Sequence, residues 1–145
     1  TGMVQLFADA STIDFSTGSA VGGALRNVDN LAIDADGNIY LVEDRNGGVD
    51  DDIWITRDLN KDGDLLDAGE GIARWASNGT QGSEFSGLYF DKTDPNRAFV
   101  NIQHPASGVD RTIMITAAVP EPETYAMLLA GLGLIGTIAR RRRRT

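Results

Sequence analysis

The chain predicts a mainly β fold: two to three antiparallel β-propeller blades, a fragment of a larger propeller, followed by a single short C-terminal transmembrane helix. Three observations carry that expectation. Residues 29–44 (DNLAIDADGNIYLVED) and 86–103 (SGLYFDKTDPNRAFVNIQ) share one pattern: an alternating apolar strand ending in Asp, a turn of Asp, Gly, Pro and Asn, then a second strand. Asp34 and Asp91 hold equivalent places in the two, 57 residues apart, the spacing of a blade of roughly 40–50 residues carrying an insertion. From residue 119 onward the composition switches from acidic and strand-patterned to apolar and then basic.

The first blade supplies four strand candidates, residues 30–34, 38–42, 52–56 and 72–76. The second supplies three, at 87–91, 98–102 and 112–116, and so lacks one. Residues 3–7 are a further candidate, either the end of an earlier blade or the missing outer strand. Propellers close with about four to eight blades, so this count describes a fragment, a small sandwich being the alternative. The start, TGMVQLF, carries no initiator Met, basic region or apolar run, and reads as the continuation of a longer precursor. The chain thus divides into two domains: a body over 1–118 with an insertion at 58–70, and a tail over 119–145.

The formal net charge of −8 divides unevenly. Residues 1–118 hold 19 Asp and Glu against 8 Lys and Arg, or −11, whereas residues 119–145 hold 5 Arg against 2 Glu, or +3. So acidic a body excludes nucleic acid as a partner, because phosphate neutralisation needs a basic face. Cations are its natural ligands. With no cysteine, disulfides and thiolate metal sites are excluded.

The insertion DLNKDGDLLDAGE sets Asp58, Asn60, Asp62 and Asp64 at alternate positions around Gly63, the pattern of a calcium loop of the EF-hand kind. Alternate oxygen ligands on a tightly wound loop converge on one hard cation. The twelfth position is Gly69; Glu70 closes the loop one place late, with Asp67 as the alternative closer. The run Asp50-Asp51-Asp52 reads as a solvated loop. Trp54 and Trp75 read as packing residues. His104, the only histidine, cannot form a triad alone and reads as structural, or as an orienting group at a metal or phosphate site.

In the tail, Val119-Pro120-Glu121-Pro122 ends any strand, since proline lacks the donor N–H and fixes φ. Residues 125–139 carry no charge and approach the roughly 17-residue minimum for a membrane span. Arg140, Arg141, Arg142, Arg143 and Arg144 are the positive-inside signal, which puts the C-terminus in the cytoplasm and the body outside. This succession resembles a PEP-CTERM sorting signal. The resemblance implies a transient membrane anchor in a Gram-negative bacterium and processing by an exosortase. Release to the cell surface or an exopolysaccharide matrix would follow.

The body resembles the C-terminal part of PhoX-type alkaline phosphatases over residues 27–108. The resemblance rests on Asp29-Asn30-Leu31 with Asp36-Gly37-Asn38, on Glu84-x-x-Gly87, and on the run from Phe99 to Pro105 (FVNIQHP). It implies a calcium-dependent β-propeller with iron as a second metal, acting on phosphomonoesters outside the cytoplasm. Glu84 and Asp29 would then be metal ligands, with Asn30 and His104 beside the site. A cysteine contributes to the iron site of such enzymes, and this chain departs from the pattern there. The alternative function is a non-enzymatic extracellular or biofilm-matrix protein.

Overall fold

The computed structural model describes residues 2–44, 51–80 and 82–117. Among them, four strands form an antiparallel meander: β3 (Val28–Ile33), β4 (Ile39–Glu43), β5 (Asp52–Arg57) and β6 (Gly71–Ser77). Two short strands, β1 (Ile13–Asp14) and β2 (Ser19–Ala20), extend this sheet beyond β6 in the order β2-β1-β6-β5-β4-β3. β1 runs parallel to β6, with Asp14 opposite Ile72. A second antiparallel sheet comprises β7 (Glu84–Phe90), β8 (Arg97–Gln103) and β9 (Arg111–Thr116). The described body is mainly β, in two sheets.

All seven strands expected in the two hairpin units are present. Their turns are held by the aspartates that directly follow each first strand, β3 and β7. Asp34 Oδ1 accepts the backbone N–H groups of Asp36 and Asn38, and Asp91 Oδ1 accepts that of Thr93. Both are Asx turns, in which a side-chain oxygen stands in for a backbone acceptor. The expectation for residues 3–7 is corrected: they form no strand. Phe7 and Ala8 instead pack against a sheet face, where side-chain burial rather than strand pairing holds them. β1 and β2, two residues each, are too short to leave a periodic trace in the sequence.

The six-stranded sheet is covered on both faces, and side-chain alternation sorts its residues between them. Tyr40, Val42 and Ile53 face the second sheet and pack with Phe85, Leu88, Ala98, Val100 and Ile102. Leu41, Trp54 and Ile72 face the other way, against Val21 from the N-terminal segment and Leu65 from the 58–70 loop. Val42, Ile53 and Val100 are fully buried, each stabilising the fold by about 1.5–3 kcal/mol relative to an exposed side chain. Beside the first cluster, Tyr40, Trp75 and Phe90 form an aromatic group with ring centroids 4.6 to 5.9 Å apart. Trp54 and Trp75 both serve packing, as expected.

No helix among the described residues is long and apolar enough to cross a membrane. The transmembrane helix expected over 125–139, the Arg140–Arg144 cluster and the Val119–Pro122 motif lie outside the described residues.

Gly71 marks the tightest backbone approach. Its φ is +154°, and a Cβ there would sit 2.3 Å from the carbonyl oxygen of Ile13, which is immovable backbone of β1. Gly71→Ala is therefore expected to destabilise the body by about 2 kcal/mol or more in chemical denaturation. An unchanged unfolding midpoint would show that β1 does not pack on β6 in this way.

Candidate functional site

The antiparallel register decides which strand ends meet. Val42 pairs with Ile53, so the end of β4 and the start of β5 lie together. Glu84 pairs with Gln103, so the start of β7 and the end of β8 do likewise. Packing of the two sheets brings both ends to one place, and each carries acid. β4 ends in Glu43 and is followed by Asp44, β5 is preceded by Asp51 and begins with Asp52, and β7 begins with Glu84.

These carboxylates divide into satisfied and unsatisfied groups. Glu43, fully buried, accepts hydrogen bonds from the backbone N–H of Arg26 (2.9 Å), the backbone N–H of Asp52 (3.0 Å) and the indole Nε1 of Trp54 (3.1 Å). Asp52 accepts from Ser77 Oγ at 2.6 Å and pairs with Arg74 Nε at 2.8 Å. Glu84 is different. It is 6% exposed, and its Oε2 is buried with no hydrogen-bond partner, as is Oδ1 of Asp44. Its Oε1 lies 3.3 Å from Nε2 of His104.

Burial, then the adjacent Asp44 carboxyl and the charge of Asp51, push the Glu84 carboxyl up to about 7, with His104 opposing. Like charges crowded out of water cannot all ionise, so this cluster demands either a proton or a cation. An all-oxygen carboxylate donor set suits a hard divalent ion.

Local backbone geometry aims Glu84. Gly87 adopts φ +63°, and the β7–β8 register shifts between Ser86 and Tyr89, a bulge that twists the start of β7. A Cβ on Gly87 would lie 3.3 Å from the amide nitrogen of Asn101. His104 holds φ +53°, uncommon for a non-glycine residue, with its N–H on Asp110 Oδ1 at 3.1 Å. This left-handed turn at the end of β8 brings the imidazole back to Glu84.

The 58–70 loop lies at the opposite end of β5, roughly 17 Å away at about 3.4 Å per residue. It winds as its sequence spacing suggests, with Lys61 at φ +58° and Gly63 at φ +91° forming the sharp turn. Carboxylate oxygens of Asp58, Asp62 and Glu70 lie within 4.8 Å of one another. Glu70, not Asp67, joins them; its Oε1 accepts from Leu59 N at 2.8 Å, while Asp67 Oδ2 accepts from the Asn60 amide at 2.7 Å. Asp64 Oδ2 turns outward to Gln5 at 3.0 Å.

Asp29 and Asn30 lie on β3 beside the same end of β4, Val28 standing opposite Glu43 and Asn30 opposite Val42, but their side chains are not among the groups acting on Glu84. Asp29 is exposed at the bulge between Val28 and Asn30, and its Oδ2 accepts from the amide of Asn30 at 2.9 Å. The carboxyls gathered at Glu84 are Asp44 and Asp51. The solvated reading of the aspartate run is corrected for its described members. Asp51 and Asp52 are 1% and 3% exposed, because β5 starts beneath the second sheet. Sequence reasoning also passed over Glu43 and Asp44. Their signal is a pair of acids closing an otherwise apolar strand directly before a second acidic run.

The fold and the site define a mainly β body with buried, crowded carboxylates at one end of two packed sheets, a group built to manage negative charge. Residues 3–106 match the family Alkaline phosphatase PhoX, and the chain belongs to that family. Residues 118–144 match the PEP-CTERM protein-sorting motif, which implies processing by an exosortase and sorting to the cell surface. No curated protein and no solved structure matches the chain.

The raised Glu84 value fixes the sign of a pH effect. The folded state binds this proton more tightly than the unfolded chain, so stability is full below the ordinary carboxyl range near 4.5 and falls as pH rises through about 7. Metal-free protein is expected to melt at a lower temperature at pH 8 than at pH 5.5, and Glu84→Gln is expected to flatten the difference. A melting temperature that rises from pH 5.5 to 8 would contradict this assignment.

Proposed function

We propose that the chain is the surface-sorted, C-terminal part of a PhoX-type metal-dependent phosphomonoesterase. In this reading residues 1–118 are the propeller portion and residues 119–145 the sorting signal. The observation that carries it is the pair of orphaned, buried oxygens on Glu84 and Asp44, facing each other from different sheets. Glu84, Asp44 and Asp51 would hold a calcium ion; iron is implied by the family alone. A cation bound there supplies charge neutralisation and alignment for a phosphate ester. His104, within contact of Glu84, orients that carboxylate and stands at the mouth where a phosphate would enter. Asp29 and Asn30 remain neighbours of the mouth on the adjoining edge strand.

The meander β3 to β6 supports the propeller reading. It is a four-stranded antiparallel unit whose first strand packs beside β7, the first strand of the next unit. Asp58, Asp62 and Glu70, with Asn60, Asp64 and Asp67 around them, would form a structural calcium site in the insertion.

Two measurements test this. Full-length protein assayed with calcium is expected to hydrolyse a phosphomonoester, and Glu84→Ala to reduce the rate by at least about 100-fold, as for loss of a group supporting a metal or its ligands. Absence of activity under every metal condition would leave the non-enzymatic matrix protein as the reading. Separately, calcium is expected to raise the melting temperature of the body, and Asp62→Ala to shrink that rise. Indifference of both proteins to calcium and EDTA would exclude the loop as a site.

A further inference from the structure

The last rung of the β8–β9 ladder pairs Ile102 with Arg111, and the connecting loop beyond it runs from His104 to Asp110. His104 departs there from what its sequence favours. Its φ of +53° lies in the left-handed region that non-glycine residues rarely enter, and a residue before proline is further pushed towards extended backbone. Side-chain packing does not supply the constraint, because the imidazole is 68% exposed. The constraint is polar. The N–H of His104 donates to Asp110 Oδ1 at 3.1 Å, and the N–H of Gly108 donates to the carbonyl of Pro105 at 2.7 Å, closing the turn between them.

The backbone conformation decides where the ring goes. Turning φ of His104 from +53° to about −120°, the range that residues before proline favour, swings Cβ about the N–Cα bond through nearly half a turn. The imidazole would then leave Glu84, whose Oε1 it meets at 3.3 Å. Among the described residues that imidazole is the one basic group paired with Glu84, whose Oε2 is buried without a hydrogen-bond partner. We propose that Asp110 is a positioning residue of the candidate site: by holding the His104 backbone left-handed, it sets the imidazole on Glu84. The proposal rests on the reading above, in which His104 orients that carboxylate. Asp110 is not among the groups acting on Glu84, so its influence passes through His104.

The test uses the full chain with histidine-selective isotope labelling, read by NMR without added metal and by phosphomonoester hydrolysis with calcium. In the unsubstituted chain the three-bond HN–Hα coupling of His104 is expected to be that of left-handed backbone, with Overhauser contacts from its ring protons to the Glu84 methylenes. Asp110→Ala is expected to raise the coupling to the extended value, abolish those contacts and lower kcat about ten-fold, while a cooperative melt confirms the fold. Asp110→Asn, whose side-chain carbonyl accepts the same hydrogen bond, is expected to restore all three. His104→Gly removes the ring and leaves a residue at ease in left-handed backbone. Adding Asp110→Ala to it is expected to cost no further activity, the non-additivity of two residues acting as one unit. The proposal is overturned if Asp110→Ala keeps the original coupling and contacts, if Asp110→Asn fails to restore them, or if the two losses of activity add. A chain inactive before substitution would count against the phosphatase reading alone, and the coupling and contacts would still decide the role of Asp110.

Discussion

A single buried carboxylate organises the end of the molecule where the candidate site lies. Three N–H donors, from the segment before β3, from β5 and from the Trp54 indole, converge on Glu43 and disperse its charge. Charge-assisted bonds of this kind are stronger than neutral ones, and removing the acceptor they share in so dry a place is costly. Strand alternation then sets the direction of the neighbouring acid. Leu41 and Glu43 point to the face lined by Trp54, so the next residue, Asp44, points to the face covered by the second sheet. The satisfied acid therefore fixes the unsatisfied one.

The two acidic groups at the ends of β5 differ in kind although their composition is similar. In the 58–70 loop, backbone N–H groups reach the carboxylates: Glu70 accepts from Leu59 and Asn60, and Asp58 from Lys61 and Gly63. That loop is organised by its own polypeptide, and the cation proposed for it would exchange with solvent at an exposed surface. At the other end Glu84 and Asp44 retain oxygens that no donor reaches. The first arrangement holds its shape unaided. The second stands at a disadvantage in water until its charge is lowered.

Much of the β architecture was legible. The seven hairpin strands follow from alternation and from aspartate-rich turns, and Asp34 and Asp91 prove to be equivalent in role as well as spacing. Local winding of the insertion was legible for the same reason, since its acids lie within thirteen residues of one another. Less was visible of the Glu84 cluster. A family resemblance singled out Glu84 and brought Asp29 with it, but the partner acids are 40 and 33 residues distant in sequence and meet only when the sheets pack. Neither periodicity nor spacing encodes such a meeting. The aspartate run illustrates the loss: three adjacent acids look solvated, and only the sheet above β5 reveals that Asp51 and Asp52 are inside.

The placement of Asp44 and Glu84 on separate hairpins also bears on the order of assembly. Each hairpin closes through local contacts, which form quickly and involve no unfavourable charge. Repulsion between the two carboxyls first acts when the sheets approach, a long-range step that comes after hairpin closure. The electrostatic penalty therefore falls on docking and not on strand formation. Mildly acidic conditions relieve it at that moment, so the contacts between the sheets are those most responsive to the medium in which the chain arrives.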